Sequence, residues 1–533
     1  MQMGKRIKTN KKQNKIPILS AEQAAAKIKD GDIVAIGGTG GGIAEPTDLI
    51  DAIAKRYAES GSPKNLTYYH PAGLGDRGDR GMSPLAQQGH IRRIIGGHWG
   101  QSPRLAEMAE KNEIEAYNFP MGIMSQLYRS AAAGQPGILT HVGLGTFLDP
   151  RQQGGRLNEA TKEELIRLEN RNGKEYLFYP AISPDVAILR GTSADTEGYL
   201  TMEDEAAHLD NLAMALAAHN NGGIVIAQVQ RVVKNRTLHP KQIVIPGYLI
   251  DVLVLSEDQP QLYGAVTNRF ISGDYTVDDS DRSITPLNER KVVARRALME
   301  ITPGDVGNVG VGIADGIGVI AREEGVEETF TLTVETGPIG GISAQGIFFG
   351  ASVNLHAMLD MPSQFDFYDG GGLDICFLSF AELDRHGNVN VHKFNGKIIG
   401  TGGFVNICQN TRKVVFCGTL TAGGLKEKVE DERIMILQEG RFRKLVPEVP
   451  EITFNGADAY RRGQEVIYIT ERAVFRLGEK GLILSEIAPG LDLQVDVLDQ
   501  IGFELEIAKD LRMMDGRLFG NGPMGIRGQF TGR

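Results

Sequence analysis

At 533 residues, 41% of them hydrophobic and 23% charged, the chain is too long for one ordinary domain and has apolar residues for a large core. A formal net charge of -10 argues against nucleic acid as a partner, because phosphate binding needs clustered Lys and Arg. No apolar run approaches the roughly 18 residues of a membrane span, so no membrane partner is expected.

Residues 1–15, MQMGKRIKTNKKQNK, are basic but lack the apolar segment of a secretory signal and the Ser- and Arg-rich amphipathic pattern of a mitochondrial presequence. They read as a flexible tail on a cytoplasmic protein. Ser20 and Gln23 then form a capping box for an Ala-rich helix ending near Asp30 and Gly31. A buried strand, Ile33 to Ile36, runs into the glycines of IGGTGGG, and a helix follows over Pro46 to Glu59. From Asn65 to about Val254, short apolar strands alternate with helical patterns, the signature of an α/β fold with a mostly parallel sheet.

The polar, Asp-rich stretch 272–286 reads as a linker, which divides the chain into an N-terminal domain, 16–271, and a C-terminal domain, 287–533. The second domain opens with LNERKVVARRALMEI, expected to be a strongly amphipathic helix. It also echoes the first. Gly31, Asp32, Ile33, Ile36 and Gly37 match Gly304, Asp305, Val306, Val309 and Gly310 at one constant offset. Asp185, Asp195 and Gly198 match Asp374, Asp384 and Gly387 at another. Two offsets imply insertions between copies of one fold facing each other across a cleft.

In FTLTVETGPIGGISAQGIFFG, alternation predicts a half-buried strand from Phe330 to Val334. Gly337, Pro338, Gly340 and Gly341 force a tight turn just after it, which leaves Glu335 at the strand's carboxyl end, where open α/β sheets place ligands. A glutamate there is commonly a solvated cap, yet it can also form a covalent acyl intermediate, and the glycines that follow leave room for an acyl group. Three Gly-rich runs follow strands, at Gly37–Gly42 with Gly38 and Gly40, at Val309–Gly316 with Gly310, Gly312 and Asp315, and at Ile399–Phe404. Backbone N–H groups in such turns can hold an anionic oxygen.

Other patterns carry less. GLGDRG at Gly73 and GIGVIA at Gly316 lack the strand-to-helix setting of a dinucleotide site. His386 and His392 are poorly spaced for one metal, and Trp99, the only tryptophan, reads as packing. Cys376, Cys408 and Cys417 read as reduced core thiols.

ETGPIGG, GGGLDICFLSFAELDRHGNVNVHKFNGKIIGTGGF, TERAVF and LSEIAPGLDL resemble family I coenzyme A transferases, in particular the single-chain acetate or propionate group. The resemblance runs from about Ile16 to Met514 and implies two related NagB/RpiA/CoA-transferase-like domains. It implies Glu335 as nucleophile, forming an acyl anhydride and then a glutamyl-CoA thioester in ping-pong exchange. Coenzyme A would serve as substrate and covalent intermediate, with no metal and no permanently bound cofactor. Acyl-CoA and short-chain carboxylic acids would be the small-molecule partners, and the assembly a homo-oligomer, a tetramer.

The loop Gly400, Gly402, Gly403 and Phe404 matches the family's GxGGF motif, with Gly402 and Gly403 expected to donate backbone N–H groups to the thioester carbonyl. Gly310, Gly312 and Asp315 resemble the segment lining the CoA channel, and Gly38, Gly40 and Met121 are assigned to the acyl pocket. Two departures stand out against the succinyl-CoA:3-oxoacid enzymes. VETG replaces their SENG, and Met121 stands in Pro120-Met121-Gly122 where they carry a hydrogen-bonding glutamine. The acyl pocket is therefore expected to favour short saturated groups. An acyl-CoA hydrolase of the same fold and a non-catalytic CoA-binding protein remain as alternatives.

Overall fold

A computed structural model describes residues 15–264, 267–277 and 284–531, so residues 1–14 of the expected tail and 278–283 of the expected linker lie outside the described residues. Two ten-stranded sheets dominate. The first has an all-parallel spine in the order Ile18–Leu19, Val252–Leu255, Ile224–Val233, Val186–Asp195, Ile33–Ile36, Leu66–His70, Ile91–Gly96 and Glu115–Asn118. Strand Val186–Asp195 is buried along its whole length, as expected of a parallel sheet covered on both faces.

The second sheet has a parallel centre, in the order Thr331–Thr333, Val306–Val309, Ile375–Ser379, Lys413–Cys417 and Glu465–Ile469. It continues antiparallel through Ala473–Gly478 and Gly481–Ile487.

The sequence echoes are echoes of register. Val34 pairs with Val186 in the first sheet as Gly307 pairs with Ile375 in the second. Asp185 Oδ2 accepts the Ile33 N–H at 2.9 Å, and Asp374 Oδ2 accepts the Val306 N–H at 3.0 Å. Further on, Asp195 Oδ1 takes the N–H groups of Glu197 and Tyr199, while Asp384 Oδ1 takes those of His386 and Asn388. Each aspartate recurs because it satisfies backbone donors where a strand begins or turns.

Two helices differ from expectation. The capping box of Ser20 and Gln23 is formed, but the helix is only Ala21–Ala25. The chain then tightens, with Lys27 N–H bonding Ala24 O and Ile28 N–H bonding Ala25 O. Glu289–Leu298, expected to show a polar face, is buried from Lys291 to Leu298. Its charges are paired instead of solvated. Lys291 meets Glu323 at 2.7 Å, Arg296 meets Glu486 at 2.7 Å, and Arg295 donates to the Leu518, Gly520 and Gly522 carbonyls of the C-terminal segment that covers the helix.

One hydrophobic cluster spans both sheets, running from Phe119 and Tyr179 through Phe365 and Tyr368 to Phe416 and Tyr468. Helices Met121–Ala132, Met361–Asp369 and Phe404–Asn410 meet in it, and Asn406 ties them together. Its Oδ1 accepts the Gly122 N–H at 3.0 Å, and its Nδ2 donates to Asp369 Oδ1 at 2.9 Å. The carboxyl ends of both sheets are thereby held together.

Candidate active site

Glu335 lies just past the strand Thr331–Thr333. The Gly337 N–H bonds Val334 O at 3.0 Å, so Val334 to Gly337 form a tight turn with Glu335 at its first central position. Gly337 has φ +128°, and a Cβ there would lie 2.2 Å from Leu359 O, so only glycine closes the turn. The expected alternation is not seen in the burial: Phe330 and Val334 are buried, but so is Thr333, whose hydroxyl meets Tyr368 OH, while Leu332 is only half-buried.

The carboxyl group is half-buried. Its Oε2 is inaccessible to solvent and has no hydrogen-bond partner. Burial pushes its pKa up to about 7, opposed by its own backbone N–H and by Asn308. Asn308 is itself fixed, its Nδ2 donating to Thr333 O and to Tyr368 OH, both at 3.2 Å. The Tyr368 hydroxyl also meets Thr333 Oγ1 and Gln364 Nε2 at 2.8 Å. A rigid polar floor therefore lies under a carboxylate that lacks a counter-charge.

Glu335 faces a cavity of about 310 Å³ at the carboxyl ends of both sheets. Thr39, Gly40, Gly73, Arg77, His98, Gln101 and Met121 come from the first sheet's loops, and Gly310, Thr336, Phe349, Leu378, Phe380, Phe394 and Gly400 to Phe404 from the second's. The second half of the wall is largely apolar, and the first carries the polar side chains.

Two segments join the halves. His98 forms an antiparallel bridge with Gly400, the Trp99 and Gly100 N–H groups both bond Ile399 O, and the Gly402 N–H bonds Gly97 O at 2.8 Å. The Met121 N–H then bonds Gly402 O at 2.9 Å. Gly400, with φ +82°, must be glycine, because a Cβ would sit 2.8 Å from His98 Cα.

Most of the anticipated residues converge here. Glu335, Gly310, Gly400, Gly402, Gly403, Gly40 and Met121 all line the cavity. Gly38 is not on its wall and packs on Glu45, whose Cγ would lie 2.8 Å from a Cβ at that position. Gly312 and Asp315 are also displaced. The Gly312 N–H is turned to Asp315 Oδ2 at 3.3 Å, and Asp315 lines a neighbouring cavity of about 150 Å³ with Asn288 and Arg290.

The pair of backbone donors expected from Gly402 and Gly403 meets a similar correction. The Gly402 N–H is taken by Gly97 O and the Gly400 N–H by His392 O, whereas the Gly403 N–H has no acceptor among the described residues.

Thr39, Arg77, His98 and Gln101 also border the cavity, although no motif in the sequence marks them. Arg77 sits in the GLGDRG run read only as a failed dinucleotide motif, and His98 and Gln101 flank Trp99. Trp99 packs in the core of the first sheet with Ile398 and stays off the cavity wall. The available signal was position, since both loops directly follow parallel strands. His392 is buried between Thr453 and Glu451 and stacks on Phe147 at 3.7 Å. Among the described residues, no group of three or more His, Cys, Asp or Glu is arranged to hold a metal.

Comparison with known proteins gives the chain its family. The family model for coenzyme A transferases matches residues 18–256. Acetate CoA-transferase YdiF of Escherichia coli K12 is 59% identical over 523 residues, covering 98% of each chain. Caffeate CoA-transferase of Acetobacterium woodii is 42% identical over 510 residues, 94% of this chain and 97% of that one. The crystal structure of the YdiF acyl-CoA transferase apoenzyme from Escherichia coli O157:H7 superposes with a TM-score of 0.93 at 58% identity, covering 96% of this chain and 98% of that one. The chain thus belongs to the family I coenzyme A transferases, and it is an enzyme that moves coenzyme A between acyl groups.

Proposed function

We propose that the enzyme transfers CoA between a short-chain acyl-CoA and acetate or a similar carboxylic acid through a glutamyl-CoA thioester on Glu335. The observation that carries this reading is the half-buried Glu335 carboxyl, without a counter-charge, held at a strand end on the wall of the inter-sheet cavity. Ionised Glu335 attacks the thioester carbonyl. The C–S bond breaks, giving a mixed anhydride and CoA thiolate. The thiolate then attacks the glutamyl carbonyl, forming the glutamyl thioester and expelling the acid as its carboxylate. A second carboxylate reverses both steps and leaves as the new acyl-CoA. Each attack passes through a tetrahedral oxyanion, and of the two loop donors Gly402 and Gly403 it is the Gly403 N–H that is free for it.

A relative's crystal structure described as a thioester complex with CoA supports the covalent route. Met121 and the apolar wall of Phe349, Leu378 and Phe380 favour saturated acyl groups, and Met121→Gln is expected to shift preference toward 3-oxo or dicarboxylic acids in competition assays. Within the same reading, residues 16–271 and 287–533 form the two domains, the assembly is a homo-oligomer, and three buried free thiols fit a reducing cytoplasm.

The test is mass spectrometry after incubation with acetyl-CoA and no acceptor acid. CoA attached at Glu335 supports the mechanism. Failure to label, or full activity in Glu335→Ala, would sink it. A hydrolase would release CoA at equal rates with and without acetate.

A further inference from the structure

The commitment of the Gly402 N–H to Gly97 leaves Gly403 as the free one of the two loop donors expected for the oxyanion, and a side chain on the cavity wall can supply the other. His98 is the side chain best placed to supply it. It lines the cavity, half-buried, on the segment stitched to the Ile399–Gly402 loop.

Three glycines fix the ring. A Cβ on Gly73 would lie 2.7 Å from His98 Nδ1, one on Gly100 would lie 3.1 Å from Cε1, and one on Gly402 would lie 3.8 Å from Cδ2. Nδ1 is therefore turned into the Gly73 backbone, buried and without a partner. Nε2 is the ring atom between Cε1 and Cδ2, so it lies on the side of Gly100 and Gly402 and has no hydrogen-bond partner among the described residues.

A buried N–H without an acceptor costs more than a buried lone pair without a donor, and orphaned N–H groups are correspondingly rarer. The proton of the neutral ring thus belongs on Nε2, beside the Gly402–Gly403 loop, where a substrate oxygen can accept it.

We propose that His98 is a further catalytic residue, a neutral imidazole that donates its Nε2–H to the carbonyl oxygen of the thioester and to the oxyanion formed as Glu335 attacks. The inference rests on the glutamyl-CoA reading and names the second donor which that reading needs. His98 transfers no proton. It acts as an electrophile, as a neutral imidazole does when its surroundings keep it from charging. Burial holds His98 near pKa 4, helped by the Arg77 guanidinium and by His70, the charged and titratable groups that act on it from the neighbouring loops.

Rapid-quench mass spectrometry of CoA loading onto the full chain tests this. If wild type takes no label from acetyl-CoA, the glutamyl-CoA reading fails and the inference falls with it. If wild type labels, His98→Leu is expected to load about 10²–10³-fold more slowly at saturating acetyl-CoA, with CoA affinity within about threefold of wild type. Loading within tenfold of wild type, or a loss matched by lost CoA affinity, would overturn the assignment to His98 alone. Fluorescence of Trp99, the only tryptophan and a buried neighbour, reports whether the loop keeps its packing. A second measurement needs no variant. Imidazole ¹⁵N shifts of the wild-type chain at pH 7 should show the Nε2–H tautomer at His98, and the Nδ1–H tautomer would refute the proposal.

Discussion

Two glutamates sit at the carboxyl ends of the two sheets, in glycine-rich loops, and burial pushes both up to about pKa 7. Their oxygens separate them. Glu45 is fully buried, with Oε1 accepting the Gly75 N–H at 2.8 Å and Oε2 bonded by the Tyr263 hydroxyl, while its backbone carbonyl takes Arg190. Glu335 keeps Oε2 unbonded at a cavity wall. A raised pKa therefore records only that a carboxyl is buried, and what singles out Glu335 for the proposed attack is its place on the cavity wall. Glu45 is a brace that ties the Gly73–Gly81 loop and Tyr263 to the first sheet.

The largest expected effect cuts straight through this contrast. Glu335→Gln should lose transfer by on the order of 10⁴-fold or more and take no CoA label, whereas Glu45→Gln should still label, as read by steady-state assay and intact-mass analysis. An inactive but fully folded Glu45→Gln would break the comparison. Glu45→Ala should instead destabilise the fold by roughly 2–4 kcal/mol in denaturant unfolding, because the Tyr263 hydroxyl and the Gly75 N–H lose their acceptor.

The pH dependence sharpens it. In the proposed mechanism Glu335 attacks only when ionised, so single-turnover loading should rise about tenfold between pH 6 and pH 8 and level off above, around its pKa of about 7.

The smallest effect is thermodynamic. A carboxyl whose folded pKa is raised contributes stability below its unfolded value near 4.5 and loses it as pH climbs through about 7. Glu335→Gln should therefore match wild type in unfolding at pH 4 and exceed it at pH 8. The gain should be on the order of 1 kcal/mol, after allowance for the part of the group that meets water.

Much of this was legible along the chain, because strand-and-glycine patterns are local. The paired aspartates and constant offsets correspond to matching registers, and the run ETGPIGG carries its turn in its own glycines. What escaped depends on distant segments meeting. Whether the Gly402 N–H is free is decided by Gly97, some three hundred positions away, and the burial of Glu289–Leu298 is decided by the C-terminal segment that covers it. Arg77, His98 and Gln101 read as loop residues for the same reason. Nothing in GLGDRG or GGHWGQSP says that the two turns border one cavity, which appears only once parallel strands place both at one end of the sheet.

The bridge between His98 and Gly400 has a consequence for how the enzyme comes into being. The hydrogen bonds that join the two sheets also shape the Gly400–Phe404 loop, since the Gly402 N–H bonds Gly97 O and its carbonyl accepts the Met121 N–H. Neither half carries a finished wall. The cavity wall beside Glu335 is thus complete only where the second sheet is docked on the first, and a chain with the two apart would lack the His98–Gly400 bridge that borders it.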